Sequence, residues 1–502
     1  MKIKLSTKKT GIQKSAITAG IWLFLLLPFL ISSMGCKKNN NPNEAPVTND
    51  SIPAAVKTDV VFWMTKPDKS VLFKKQTNTS LVFSSEPNGY STITVDTTQT
   101  YQSIDGFGFA LTGASAELIN YLSESTKETL LKELFLTDST DIGISYLRIS
   151  LGASDLSSEP FTYDELKPGQ TSDTTLQNFT IEKEKKDLIP VLLKIIALNP
   201  HIKILACPWT APIWMKTNNS YVGGSLKTQY YGVYAKYFVK YIQAMESQGI
   251  HITAITPQNE PLNAYNNPAM LLSASEEDNF IKNYLGPAFK DNNINTKIII
   301  YDHNLDHPEY ATSILSDTAA AKYIDGSAFH LYAGNINTMS SVHNSFPNKN
   351  LYFTEQATFS SGNFGGDLDW HIRNLIIGAI RNWSKNVIEW NLASDPTQSL
   401  HTNGGCSSCL GGLTIGTNNT IGRNVSYYII AHAAKFVRPG SVRIGSNNVG
   451  DLLDVAFKTP NGEKVLIVLN SGSYSTTFNI RFQGKTVSPT LTAGAVGTFI
   501  WK

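Results

Sequence analysis

Beyond residue 35 the sequence has no basic run, and that absence removes one class of partner. The formal charge of +2 comes from Lys2, Lys4, Lys8, Lys9 and Lys14; without them the remainder stands at −3. A near-neutral chain of this kind is not built to bind nucleic acid. No apolar stretch of membrane-spanning length follows Ile31, so everything after it is expected to sit outside the bilayer. No glycine-rich nucleotide loop follows the first strand-like segment, where Gly106-Phe107-Gly108 stands alone. Cysteine is scarce as well. Cys406 and Cys409 form a C-x-x-C with no second pair to complete four zinc ligands, and Cys207 lies in an apolar run. No internal repeat is evident. No metal or organic cofactor is expected.

What is present at the N-terminus is a lysine-rich stretch, a short apolar run from Ile21 to Ile31, and then Ser32-Ser33-Met34-Gly35-Cys36. This resembles a bacterial lipoprotein signal over 1–35, with Cys36 as the lipidated residue, although Ser33 stands where leucine is usual. An ordinary secretory signal or a single membrane anchor is the alternative. Residues 36–57 are polar and proline-containing, the composition of a tether. The expectation is an exported, membrane-anchored bacterial lipoprotein of the outer membrane. In an exported protein, Cys406 and Cys409 are read as a local disulfide shaping a loop.

Apolar residues make up 41% of the chain, enough for a large core, and aromatics 10%. Such an aromatic content suits either core filling or a ligand with flat C–H faces, such as a sugar. From about residue 99 to 432, strand-like runs alternate with helix-patterned stretches. Eight strands are expected: Ile104 to Phe109, Tyr146 to Leu151, Ile202 to Cys207, Ile252 to Pro257, Lys297 to Tyr301, Ser327 to Tyr332, Leu351 to Thr354 and Val387 to Leu392. Helices are expected at Leu188 to Leu198, Tyr231 to Glu246, Glu276 to Phe289 and Trp370 to Trp383. Eight βα units predict an α/β fold of the TIM-barrel type, with a doubly wound open sheet as the alternative. Residues 58–98 and 433–502 read instead as short alternating strands, an all-β module built from both ends of the chain.

In a barrel, the C-terminal ends of the strands share one mouth. The residues placed there include Arg148, Asp155, Cys207 to Pro212, Gln258-Asn259-Glu260, Asp302-His303-Asn304, His330 to Tyr332, Glu355 and Glu389-Trp390-Asn391. A ring of carboxylates, amides and aromatic groups suits a polyhydroxylated ligand. Glu260 and Glu355 close the fourth and seventh strands, across the barrel from each other. Glycosidic hydrolysis needs one carboxyl to protonate the leaving oxygen and a second to act at the anomeric carbon.

The sequence resembles glycoside hydrolase family 30, which holds glucosylceramidases, β-xylosidases and β-1,6-glucanases. The motifs that carry the resemblance are Asp105-Gly106-Phe107-Gly108, Leu147-Arg148-Ile149-Ser150, Cys207 to Lys216, Asn259-Glu260-Pro261, Phe329-His330-Leu331-Tyr332, Thr354-Glu355 and Glu389-Trp390-Asn391-Leu392. The resemblance implies a (β/α)8 barrel with a β-sandwich packed against it. It implies Glu260 as acid/base, with its pKa raised to about 6, and Glu355 as an ionised nucleophile held by Arg148. Asn259 would bond the sugar 2-hydroxyl, and His330 and Tyr332 would brace the carboxylates. Asp155, Trp209 and Asn391 would bind sugar, with Trp390 as a stacking wall. The resemblance is nearest to the bacterial β-1,6-glucanase branch, so the implied activity is a retaining β-glycoside hydrolase acting on β-1,6-glucan, with a glucosylceramidase or a β-glucosidase or β-xylosidase as the alternative within the family. A non-catalytic carbohydrate-binding lipoprotein is the alternative of another class. The expected partners are a β-glucoside and, through the anchor alone, a membrane; a monomer is expected.

Overall fold

A computed structural model describes residues 57–502, so Cys36, the signal and all but the last residue of the tether lie outside the described residues. Eight parallel strands close into a barrel. They are β1 (Gly106–Ala110), β2 (Tyr146–Ser150), β3 (Lys203–Cys207), β4 (Ala254–Ile255), β5 (Lys297–Asn304), β6 (Ile324–His330), β7 (Asn350–Glu355) and β8 (Ser384–Glu389). Each pairs with its neighbour in sequence, and β8 returns to β1 through Asn386 to Glu389 against Gly106 to Phe109. An open doubly wound sheet is therefore excluded.

Alternation within the strands sends one residue in two inward. Tyr146, Leu205, Ala254, Ile299, Ala328, Tyr352 and Ile388, one from each of β2 to β8, form a separate buried cluster. Large and small residues mix in this layer, as a closed barrel interior requires. Helices cover the outside. Tyr231–Ser247 buries Tyr234, Phe238, Tyr241 and Met245 along one face, and a Ser273–Glu276 capping box opens the helix Ala274–Phe280.

Two expected helices are not uniform. The 276–289 stretch passes through a π-helical turn at Ile281–Leu285 before ending in Gly286–Asp291. The 370–383 stretch follows a helix at Phe364–His371 and is π-helical over Ile372–Ala379. Hydrophobic periodicity does not distinguish such local widening from a regular helix.

The all-β module is built from both flanks. A seven-stranded sheet runs in the order Lys74–Lys75, Val61–Thr65, Val496–Trp501, Lys464–Asn470, Leu452–Lys458, Val442–Gly445 and Asp96–Ser103. One face packs Phe62, Leu466, Val468 and Phe499 against Phe478 and against Ile93 and Ile480 of the smaller strands. The other buries Trp63, Phe457, Val465 and Ile467 in the same core as the barrel helices. The strand Asp96–Ser103 pairs with Val442–Gly445, so the N-terminal β contribution reaches Ser103 where 98 was expected. The last barrel helix, Val425–Ala434, likewise passes 432.

Candidate active site

Asp302 is the buried centre of the mouth. Tyr301 and Asp302 adopt positive φ values of 75° and 57°, which breaks the alternation of β5 and turns the Asp302 carboxylate into the barrel. It accepts hydrogen bonds from Arg148 Nη2 at 2.8 Å, Thr256 Oγ1 at 2.7 Å, Thr354 Oγ1 at 2.6 Å and Cys207 Sγ at 3.1 Å. Burial alone would raise its pKa, but the Arg148 charge and then the His330 bond outweigh burial and hold it well below the usual carboxylate range. Arg148, fully buried on β2, reaches Glu355 Oε2 at 2.6 Å through Nη1 and Asn259 Oδ1 at 2.7 Å through Nη2. That leaves the Asn259 amide nitrogen as its free donor. The guanidinium also lies over Trp209, 4.9 Å from the ring centre.

Glu260 follows β4 and sits in left-handed backbone, φ 44°, a conformation that a glutamate adopts only where its surroundings impose it. Here the Glu260 N–H donates to Asp302 O at 3.0 Å and the Asn259 N–H to Pro208 O at 2.8 Å. Glu260 Oε1 lies 3.2 Å from His330 Nδ1, and Oε2 accepts from Asn263 Nδ2 at 2.8 Å. Glu355 Oε1 accepts from the Tyr332 hydroxyl at 3.1 Å and lies 3.8 Å from His330 Nδ1. Carboxylate oxygens of Glu260 and Glu355 come within 4.8 Å of each other. Retaining glycosidases hold their carboxyl groups about 5–5.5 Å apart, against about 6.5–9.5 Å in inverting ones.

The protonation pattern differs from the raised Glu260 expected above. Burial pushes Glu260 up, but the hydrogen bond and charge of His330 outweigh it and hold the group at about 2. Glu355 is raised, by burial first and by the neighbouring Glu260 charge, against the pull of His330 and Arg148. His330 is lowered by burial, yet Glu355, Asp302 and Glu260 around it bring it to about 9. His330, set between the two carboxylates, thus holds a proton at neutral pH. Asp155 is pushed up to about 7 by burial and then by Glu355.

A cleft of about 440 Å³ opens over these groups. Trp209 and Trp390, 5.4 Å apart between ring centres, wall one part of it together with Asp155, Cys406 and Cys409. Cys406 and Cys409 are disulfide-bonded. The Cys406 N–H lies 3.3 Å from Asp155 Oδ2. Asn391 lies behind the cleft, its amide nitrogen bonded to Ala393 O at 3.2 Å. Glu389, placed at the mouth by its position on β8, points the other way and meets His371 Nδ1 at 2.8 Å. Trp214 is a core residue bonded to the Asp164 carbonyl.

Glu260, His330 and Glu355 are also the one group among the described residues close enough to offer a metal three donors. Arg148 and Tyr332 already occupy both Glu355 oxygens, and Asp302 takes the second His330 nitrogen at 3.1 Å. Hydrogen bonding accounts for this cluster without an ion. The sequence places Asp302 at the mouth and Thr354 in a motif but gives no role to either, nor to Thr256. The available signal was an acidic residue directly after Ile298-Ile299-Ile300-Tyr301, where a buried strand has no reason to carry a charge unless it is paired.

Two facing carboxylates at the ends of the fourth and seventh strands of a (β/α)8 barrel, beneath paired indoles, define a glycoside hydrolase. The model of the glycosyl hydrolase family 30 TIM-barrel domain matches residues 104–437, and that of the family's β-sandwich domain matches 440–499. The chain belongs to glycosyl hydrolase family 30, and it is an O-glycosyl hydrolase. It is 35% identical to the endo-1,6-β-D-glucanase neg1 of Aspergillus fumigatus, over 76% of this chain and 81% of that one. It is 28% identical to the lysosomal acid glucosylceramidase of Mus musculus, over 82% and 83%. A solved endo-β1,6-glucanase superposes with a TM-score of 0.83 at 33% identity, covering 89% of this chain and 99% of the other.

Proposed function

We propose that the protein is a retaining endo-β-1,6-glucanase in which Glu355 is the nucleophile and Glu260 the acid/base. The observation that carries the retaining reading is the approach of the two carboxylates to within 4.8 Å, too close to admit a water for direct displacement. The glucan reading is supported by the endo-1,6-glucanases at 33–35% identity, against 28% for the lysosomal glucosylceramidase.

Glu355 attacks the anomeric carbon as Glu260 protonates the departing oxygen, giving a glycosyl-enzyme. Glu260 then takes a proton from the water that releases the sugar. For the first step Glu355 must be ionised, the form that its bonds from Arg148 and Tyr332 favour, and Glu260 must carry a proton. His330 Nδ1 lies 3.2 Å from Glu260 and 3.8 Å from Glu355. The imidazolium passes its Nδ1 proton to Glu260 across the 3.2 Å contact, which loads the acid without moving a side chain far. Asn259 and Asp155 bond sugar hydroxyls, Asn391 supports the sugar-binding wall, and Trp209 and Trp390 stack on the ring.

Purified protein incubated with β-1,6-glucan should release oligosaccharides whose new reducing ends are first seen by NMR as the β-anomer. Initial release of the α-anomer would rule out retention. An intact glucan alongside hydrolysed glucosylceramide or β-xyloside would move the protein to another branch of the family. We further propose export and lipid anchoring through Cys36, supported by the sequence over 21–36; Cys36→Ser should abolish fatty-acid labelling and release the enzyme from membranes. The site is complete within one chain, which supports a monomer; sedimentation giving a dimer would contradict it.

A further inference from the structure

The cleft extends beyond the two carboxylates, and its outer part is not used by the chemistry above. Glu260 protonates the leaving oxygen, so the leaving half of the substrate must lie on the Glu260 side. That side is formed by the segment directly after it, Leu262 to Asn266. Asn263 holds Glu260 Oε2 and, through Oδ1, also accepts from the Tyr265 N–H at 3.0 Å. The Tyr265 side chain then stands 89% exposed at the cleft rim. Phe359, four residues after Glu355, is 38% exposed and lines the same cleft.

One exposed aromatic needs no explanation. Two on one catalytic cleft, on walls that one loop joins, are a different matter. Phe359 pairs in antiparallel register with Cys409, and the Ser360 N–H donates to Ser408 O at 2.9 Å. On the other wall, Asn267 Nδ2 donates to Asn403 O at 2.9 Å, and Thr402 Oγ1 bonds the Asn267 carbonyl. The loop spanning 402–410 thus ties the Tyr265 wall to the Phe359 wall.

We propose that Tyr265 and Phe359 form a platform for the leaving half of a glucan chain, seating sugars beyond the one that carries the departing oxygen. This deepens the β-1,6-glucanase reading and rests on it. Aromatic faces stack on the C–H faces of pyranose rings, while Asn266, Asn304 and His303 on the same cleft supply hydrogen-bonding groups between them. An acyl chain would find those polar groups unsatisfied, so a carbohydrate leaving group fits better than a lipid.

The test compares wild type, Tyr265→Ala, Phe359→Ala and the double variant on an aryl β-glucoside, on β-1,6-linked gluco-oligosaccharides of two to five units, and on glucosylceramide in detergent. The loss in kcat/KM should grow with chain length, carried mainly by KM. For the double variant it should be about 10-fold larger on the pentasaccharide than on the aryl glucoside. An equal loss on every substrate, or none at any length, would overturn the platform. A loss confined to glucosylceramide would replace it with a lipid-binding rim. A wild-type enzyme that cleaves no β-1,6-linked oligosaccharide would overturn the glucanase reading itself, a failure visible before any variant is compared.

Discussion

Asp302 controls the electrostatics of the site although it touches no expected substrate atom. Its carboxylate binds Arg148 and His330, and those two in turn hold Glu355 and Glu260. Asp302→Asn keeps the shape and deletes the charge. It should cost about 3 kcal/mol, because it leaves a buried guanidinium short of a counter-ion. The pH dependence follows from the direction of the His330 shift. Its folded value, about 9, lies above the ordinary 6.5. Its contribution is therefore complete below about 6.5 and is lost as pH rises through about 9. With Asp302 neutral, His330 gives up its proton at lower pH, so the basic limb of the kcat/KM profile should move down by about one unit or more. A basic limb unmoved in a folded Asp302→Asn would show that His330 does not carry the proton.

At the scale of elements, the barrel strands are legible because a sheet covered on both faces shows as continuous apolar runs. Ile298-Ile299-Ile300 lies in β5 and Leu351 to Thr354 in β7. Placing Glu260 and Glu355 at one mouth needed only strand ends and closure. The turn of Asp302 was not legible, since it depends on left-handed backbone at two non-glycine residues, which simple alternation does not foresee. The proton pattern was not legible either, because His330 lies 70 residues from Glu260 and acts only once β6 stands beside β5. Gly106 and Gly108, which in sequence hint weakly at a nucleotide loop, have a packing explanation. A Cβ on Gly108 would overlap the Tyr146 carbonyl oxygen, where β1 meets β2. Gly108→Ala should cost about 3 kcal/mol by forcing those strands apart, measurable as a lowered urea midpoint. An unchanged midpoint would contradict this account of the motif.

For the whole molecule, the barrel and the large sheet share one core. His432, on the helix Val425–Ala434, spans the junction: its Nδ1 lies 2.8 Å from Thr498 Oγ1 and its Nε2 2.8 Å from Thr65 Oγ1. Arg381 likewise reaches across to Asp454 at 3.0 Å. The described portion should therefore unfold in a single calorimetric transition; two separated transitions would show the sandwich to be an independent domain. Barrel closure also sets Glu355 against Glu260, and the chemistry depends on that juxtaposition. The most direct measurement is intact-mass and peptide analysis after incubation with a 2-deoxy-2-fluoro-β-glucosyl fluoride, which slows release of any glycosyl-enzyme. The account predicts one added fluoroglucosyl group, mapped to Glu355 and absent in Glu355→Gln. A turned-over reagent with no adduct, or an adduct on another residue, would contradict it.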